Sequence, residues 1–192
     1  MQHWLIGYGS LMDRASAERT LGAGLSMLPV VLDSWRRDFG LAISRSANYR
    51  CRVCLGGMEG IAAADAQPSE GSQLAAVAIR VGLLQLQDAD QRETSYRRVA
   101  LPSSASSLPG TSWIYQGLSK HRLGASVVPA EYWALIAAAA KEHPAGKLIL
   151  QDRPSLPLAD LEFIRYQEAE PLGRCECWQS GSGSNYPWFC VS

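Results

Sequence analysis

Residues 74–82 read Leu-Ala-Ala-Val-Ala-Ile-Arg-Val-Gly, and only Arg80 breaks the apolar run. A strand with one wet face alternates apolar and polar residues, so a run this uniform reads as a strand buried on both faces. The chain offers several further strands. "HWLIGY" (3–8) mixes β-branched and aromatic types, and "YRRVAL" (96–101) and "TSWIYQG" (111–117) have the same character. "LPVVLDSWRRDFGLAI" (28–43) reads as one or two strands bent near Asp33-Ser34 and Gly40, while glycines divide residues 52–72 into short strands and a turn.

Helical signals alternate with these strands. "MDRASAERTLG" (12–22) reads as a short helix ending at Gly22, and the residues from Leu83 have helical spacing. "PAEYWALIAAAAKEH" (129–143) has Pro129 for a first turn, alanines inside and Pro144 as a stop. "LADLEFIRYQEA" (158–169) reads as a last helix, and "PSSASSLPG" (102–110) as a flexible Ser/Pro connector. With no repeat and no dividing linker, the pattern is that of one α+β domain. The tail "GSGSNYPWFCVS" carries Tyr186, Trp188 and Phe189, apolar enough to pack back or cover a site.

Composition excludes whole classes of partner. The chain has 192 residues, enough for one domain with a substantial core, and its formal net charge is zero. A balanced charge gives no electrostatic case for nucleic acid or an anionic membrane as partner. No apolar run approaches the roughly 18 residues of a membrane span. The first strand begins at His3, which leaves no room for a secretory leader, so the expected location is cytoplasmic. Of the five cysteines, Cys51 and Cys54 form a C-x-x-C pair, but Cys175 and Cys177 lie over a hundred residues away with a single residue between them. That is poor zinc geometry, so reduced thiols and no metal are expected.

The first strand ends in Gly7-Tyr8-Gly9-Ser10, and three chemistries use such a loop. A dinucleotide fingerprint needs a third glycine where Met12 stands. A G-x-S-x-G nucleophile elbow needs serine where Tyr8 stands. The third is an anion or oxyanion cradle made by the amides of Gly9, Ser10 and Leu11 at a helix start, where glycine lets backbone approach a ligand. The structural alternative is a plain strand-to-helix turn with Ser10 as N-cap.

A second feature is an acid on an apolar stripe. A helix over 84–94 places Leu86, Ala89 and Glu93 on one face. Desolvation raises the pKa of such a carboxylate and makes it competent to move protons near neutral pH. The alternative is a helix that ends earlier and leaves Glu93 exposed or paired with Arg92, Arg97 or Arg98.

"YGSL" (Tyr8 to Leu11) after the first strand and "ADQRETSYRRV" (Ala89 to Val99) downstream resemble the γ-glutamylcyclotransferase-like superfamily, whose members carry a Y-G-S-[LN] loop and an L-D-x-x-E helix. "LDSWRRDFG" and "PAEYWALIAAAA" fit the same pattern, and the resemblance covers about residues 3 to 145. Ala89 stands where the leucine is usual, and Lys120 and His121 fall where some members place an aromatic. The resemblance implies an α+β fold with a mixed β-barrel-like core and flanking helices. Residues 1–146 would form the γ-glutamylcyclotransferase-like domain, with 147–192 a C-terminal extension packing on it. It further implies Glu93 as the catalytic proton shuttle and Tyr8, Gly9, Ser10 and Leu11 as the substrate-binding loop. The reaction implied is the cyclisation of a small γ-glutamyl peptide or amine to 5-oxoproline, with no metal and no other cofactor. Two competitors stand beside it: a non-catalytic binding or interaction module on the same fold, and a serine hydrolase using Ser10 with His121 or His143.

Overall fold

The structure is a computed structural model that describes residues 2–43, 49–51, 60–122 and 127–163, with backbone alone for 49–51 and 162–163. The tail aromatics, Cys54, Cys175, Cys177 and Cys190 lie outside the described residues. The order of elements is β1 (His3–Gly7), a 3-10 turn (Ser10–Met12), α1 (Arg14–Leu21), β2 (Met27–Ala42), β3 (Tyr49–Cys51), β4 (Ala62–Val81) and α2 (Leu83–Arg92). Then come β5 (Tyr96–Ala100), β6 (Thr111–Gly117), β7 (Val128–Pro129), α3 (Ala130–Ala139), α4 (Gly146–Gln151), β8 (Leu158–Ala159) and β9 (Leu161–Phe163).

Five strands form the main sheet in the order β2-β4-β1-β6-β5. Within it β1 and β6 run parallel, and the other neighbours are antiparallel. The uniformly apolar stretch explains itself at once: β4 sits inside the sheet between β2 and β1, with helices on both faces. Leu74, Ala76 and Ala78 face a core shared with Trp133 and Ile136 of α3 and Ile149 of α4. Ile79 and Val81 face a second core with Ala17 and Leu21 of α1 and Leu86 and Ala89 of α2. β1 divides in the same way, Trp4 and Ile6 to the first core and Leu5 to the second. Burying each Leu, Ile or Val side chain among these contributes about 1.5–3 kcal/mol.

The stretch 28–43 forms one long strand, β2 (Met27–Ala42), whose pairing with β4 shifts between Asp33 and Trp35 and again between Asp38 and Leu41, at the two expected bends. Ser34 takes φ 63° at the first. The expectation of short broken strands through 62–72 does not hold. β4 continues for 20 residues, and the turn-forming Ser69-Glu70-Gly71-Ser72 bulges out of the ladder, so Pro68 pairs with Trp35 and Gln73 with Asp33. Gly71, at φ 73°, supplies the left-handed residue that such a bulge requires.

The bulged half of β4 reaches beyond β1 and bends over the pocket end of β5 and β6. Side chains make the closure there. Asp65, fully buried, accepts from the amides of Ala66 (2.8 Å) and Gly117 (2.7 Å), and it pairs with Arg122 just beyond β6. Tyr96 of β5 donates to the carbonyl of Ala64 (2.7 Å). The sheet is thus curled like part of a barrel, although the described ladder is open between β2 and β5.

Two helix expectations change. α3 stops at Ala139, well before Pro144, because tight turns at Ala140 and Lys141 end it and His143 swings in to contact the carbonyl of Ala76 (2.9 Å). Residues 158–163 are not a helix: Leu158–Ala159 pairs with β7 and Leu161–Phe163 with β3, so strand partners override the local helical pattern, while 164–169 lies outside the described residues. The Ser/Pro connector holds a 3-10 turn whose Ala105 is buried.

Asp65→Ala should lower stability by about 2 kcal/mol, since it leaves the Gly117 amide without its acceptor and removes the nearer of the two carboxylates paired with Arg122. Urea unfolding followed by tryptophan fluorescence measures this, and Asp65→Asn, which retains acceptor capacity, should lose less.

Candidate active site

β1 and β6 are parallel, so Gly7 and Gly117 end at the same edge of the sheet, and a small pocket of about 30 Å³ opens beside them. It is lined by Ile6 and Gly7 at the end of β1, Tyr8, Gly9, Ser10 and Leu11 from the loop after it, Ala64 from β4, Glu93 at the end of α2, and Tyr96, Tyr115 and Tyr132 from β5, β6 and α3. All five residues singled out in the sequence (Tyr8, Gly9, Ser10, Leu11 and Glu93) therefore meet in one cavity.

The loop is held tightly from beneath. The Tyr8 hydroxyl donates to the carbonyl of Tyr115 (2.6 Å), and the Tyr8 carbonyl accepts from Nε of Arg37 (2.7 Å). The chain then turns into the 3-10 segment, whose backbone bonds begin with Met12 to Gly9 (3.0 Å) and Asp13 to Ser10 (3.2 Å). Ser10 is not the N-cap of α1: Asp13 is, accepting from the Ser16 amide (2.7 Å).

The two glycines serve separate contacts. A Cβ on Gly7 would fall 2.8 Å from the Leu11 Cβ, so Gly7 lets the turn fold back on its strand. A Cβ on Gly9 would fall 2.6 Å from the Tyr132 hydroxyl, which itself accepts from the Ala64 amide (3.2 Å). Glycine is needed here for close approach, with Gly9 at an ordinary φ of −114°.

Glu93 combines the two sequence alternatives: the helix ends before it and it pairs with Arg92, yet its side chain stays largely buried. α2 ends at Arg92, yet the Glu93 amide still bonds the Ala89 carbonyl (3.0 Å), so its side chain leaves the helix along the stripe of buried Leu86 and Ala89. Only 17% of that side chain is exposed, and Oε1 lies 3.3 Å from Nε of Arg92. Burial holds the Glu93 carboxyl above its ordinary pKa, and the Arg92 charge pulls the other way.

The tyrosines complete the lining. Burial pushes Tyr132 up to about 12 and raises Tyr8, Tyr96 and Tyr115 as well, so all four are neutral at physiological pH. Tyr115 is oriented by its bond to Asp90 (2.6 Å), one turn before Glu93 on α2. Sequence reasoning missed Tyr96, Tyr115 and Tyr132 as lining residues. Each sits in a segment read correctly as strand or helix, but nothing local marks which face meets the pocket. Neither His121 nor His143 lines the cavity; His143 is buried against Ala76 and Ala145. The Ser10–His hydrolase therefore has no geometry here.

Among solved structures, a γ-glutamyl cyclotransferase matches with a TM-score of 0.57 at 12% identity, over 87% of this chain and 95% of that one. The fold is that of a γ-glutamyl cyclotransferase. An uncharacterized human protein matches with a TM-score of 0.56 at 13% identity, over 86% of this chain and 95% of its own. The YkqA protein of Bacillus subtilis matches with 0.52 at 19% identity, over 82% of this chain and 56% of its own. No family model matches the chain, and no curated protein matches it in sequence. Among the described residues, no helix is long and apolar enough to cross a membrane.

Two predictions follow from the pocket's packing. Gly9→Ala should destabilise the protein by displacing the Tyr132 hydroxyl, and adding Tyr132→Phe should recover part of the loss by removing the clashing oxygen; thermal unfolding of the single and double variants measures the coupling. For Glu93, a pKa raised in the folded state means that the folded protein holds the proton longer than the unfolded chain. Its contribution is therefore fully present below the unfolded value and is lost as pH rises through the folded one. Glu93→Gln should remove that decline and be at least as stable as the parent at pH 7, as measured by denaturant titrations across pH 4–8.

Proposed function

We propose that the protein is an enzyme of the γ-glutamyl cyclotransferase type, converting a small γ-glutamyl peptide or amine to 5-oxoproline with release of the amine. One observation carries this reading. Glu93 and the Tyr8–Leu11 loop, some 80 residues apart in sequence, line the same pocket, and among the described residues Glu93 is the one carboxylate in that lining. The fold likeness agrees with it.

The chemistry follows from what the substrate needs. At neutral pH its α-amine is an ammonium and no nucleophile. Glu93 accepts that proton, and the freed lone pair attacks the γ-carbonyl carbon, closing a five-membered ring and moving the carbonyl π electrons onto oxygen. Collapse of the tetrahedral intermediate re-forms the carbonyl and breaks the original C–N bond. The departing nitrogen takes the first proton back from Glu93; the second proton, which the attacking nitrogen sheds on becoming a lactam, passes through Glu93 to the freed amine, which leaves as an ammonium, and Glu93 ends ionised as it began. Atoms and charge balance without a metal or other cofactor.

The amides of Gly9, Ser10 and Leu11 are the donors assigned to the developing oxyanion or to the α-carboxylate, each such donor typically contributing about 3 kcal/mol in the transition state. The neutral tyrosine hydroxyls can donate but cannot act as bases at this pH. The narrow, aromatic-walled cavity bends the substrate so that amine meets carbonyl, which is an orientation effect.

Glu93→Gln keeps shape and hydrogen-bonding capacity but cannot take the ammonium proton. Its kcat should fall by about a hundredfold or more with substrate binding retained. The parent's activity should decline on the acid side with an apparent pKa above the roughly 4.3 of a free glutamate. The assay is release of 5-oxoproline from a panel of γ-glutamyl peptides and amines. Ordinary turnover by Glu93→Gln would overturn the mechanism. If the parent binds such compounds but turns none over, the protein is a binding module on this fold.

A further inference from the structure

Arg92, the last residue of α2, spans the gap between the two halves of the pocket. Its Nε lies 3.3 Å from Oε1 of Glu93. Its Nη2 donates to the Ser10 hydroxyl (2.7 Å), and its Nη1 donates to the Thr20 hydroxyl on α1 (2.6 Å), with longer contacts of 3.4 Å to the carbonyl and hydroxyl of Ser16. A rigid five-donor fork can hold three such partners at once; a lysine ammonium cannot hold them in the same geometry.

We propose that Arg92 is a positioning residue of this pocket: its guanidinium fixes the Ser10 end of the loop against the Glu93 carboxylate, and its charge sets the pH range in which Glu93 is an ionised proton acceptor. This deepens the cyclotransferase reading and, for its effect on turnover, rests on it. The groups facing Glu93 are Arg92 on its own helix, Tyr8 from the loop, Tyr96 from β5, Tyr115 from β6 and Tyr132 from α3. The tyrosines are kept neutral by burial. Arg92 therefore opposes the desolvation of Glu93 on its own, holding down a pKa that burial pushes up. A stronger pull would leave Glu93 a weaker base and a weaker one would widen the pH range in which it holds its proton, so the partly exposed guanidinium is a moderating charge.

The same cation explains why the Ser10 side chain is a hydroxyl. Ser10 Oγ accepts from Arg92, which fixes the position of its own backbone amide in the loop. Ser10 thus acts by being held as well as by lining the cavity. The pairing also ties α1 to α2 across the loop, since Gln85 at the other end of α2 donates to the Leu21 carbonyl at the end of α1 (2.6 Å).

The test reads Glu93 directly. With 13C-labelled glutamate side chains and Glu93→Gln to assign the resonance, the Glu93 carboxyl is titrated in the parent, in Arg92→Gln and in Arg92→Lys. Arg92→Gln should move the midpoint upward by about one pH unit, and Arg92→Lys by less. Raising salt from 0.05 to 0.5 M should shift the parent's midpoint upward too, by screening the pair, and this measurement needs no Arg92 variant to fold. In turnover assays Arg92→Gln should carry the acid limb of kcat upward by the same amount. Arg92→Lys should keep the limb near its parental place while raising KM severalfold, because its charge remains but the grip on Ser10 is lost. A Glu93 midpoint that moves neither with Arg92→Gln nor with salt would overturn the proposal whatever the activity. If the midpoint moves as expected but the parent turns over no γ-glutamyl compound, the action of Arg92 on Glu93 stands and the cyclotransferase reading falls.

Discussion

A fully buried guanidinium must find partners for its nitrogens, and Arg37 does so by drawing three separate parts of the chain together. Nε binds the Tyr8 carbonyl in the loop, Nη2 binds the Ala75 carbonyl of β4 (2.8 Å), and Nη1 pairs with Asp152 just after α4 (2.9 Å). Desolvation works against this charge, lowering the Arg37 pKa, and Asp152 is the main group acting to restore it. Asp152 is desolvated in turn, its pKa raised by burial against the pull of Arg37. The pocket loop is therefore anchored from the core side, through its backbone. Its opposite side is left free to line the cavity, so anchoring and ligand approach do not compete for the same groups.

The acid in that cavity is balanced in another way. Glu93 sits where helical bonding has just ended, close enough to α2 to inherit its buried stripe and far enough along to turn out of the ladder. Had α2 run one turn further, the following β5 could not have started at Tyr96, whose hydroxyl closes the curled end of the sheet against Ala64. The helix end, the acid and the sheet closure are thus one local arrangement. Arg92 adds a solvent-facing positive charge to it, and Asp90 orients Tyr115 from the same helical turn.

Fold likeness at 12–19% identity marks how little of this arrangement is written in any one residue's identity. Much of the cores on the two faces of the sheet is aliphatic and alanine side chains, alongside aromatics such as Trp4, Trp35, Phe39 and Trp133, and many sequences can supply such residues at the same volume. The constraints that resist substitution are few and polar: Arg37 under the loop, Asp65 at the curled end of β4, and the glycines that allow the loop to approach Leu11 and Tyr132.

What the sequence determined by itself was local. Period-two and period-3.6 apolar patterns are properties of neighbouring residues, so β1, β5, β6, α1, α2 and the two bends of β2 were legible, as was the doubly buried stretch of β4. Glu93 stood out because a carboxylate on an apolar stripe is a contradiction visible within eight residues. Only the tertiary structure decided the rest. Glycine and proline at 68–71 signal a break, but whether the chain turns or bulges depends on β2 holding the partner strand on both sides. Residues 158–163 carry a helical pattern that loses to hydrogen-bonding partners supplied by β3 and β7. Tyr96, Tyr115 and Tyr132 converge, and Arg37 reaches Asp152 across 115 positions, because sheet order and curl bring distant segments together. No window of the sequence contains that information, since it resides in which strands pair and not in what each strand prefers.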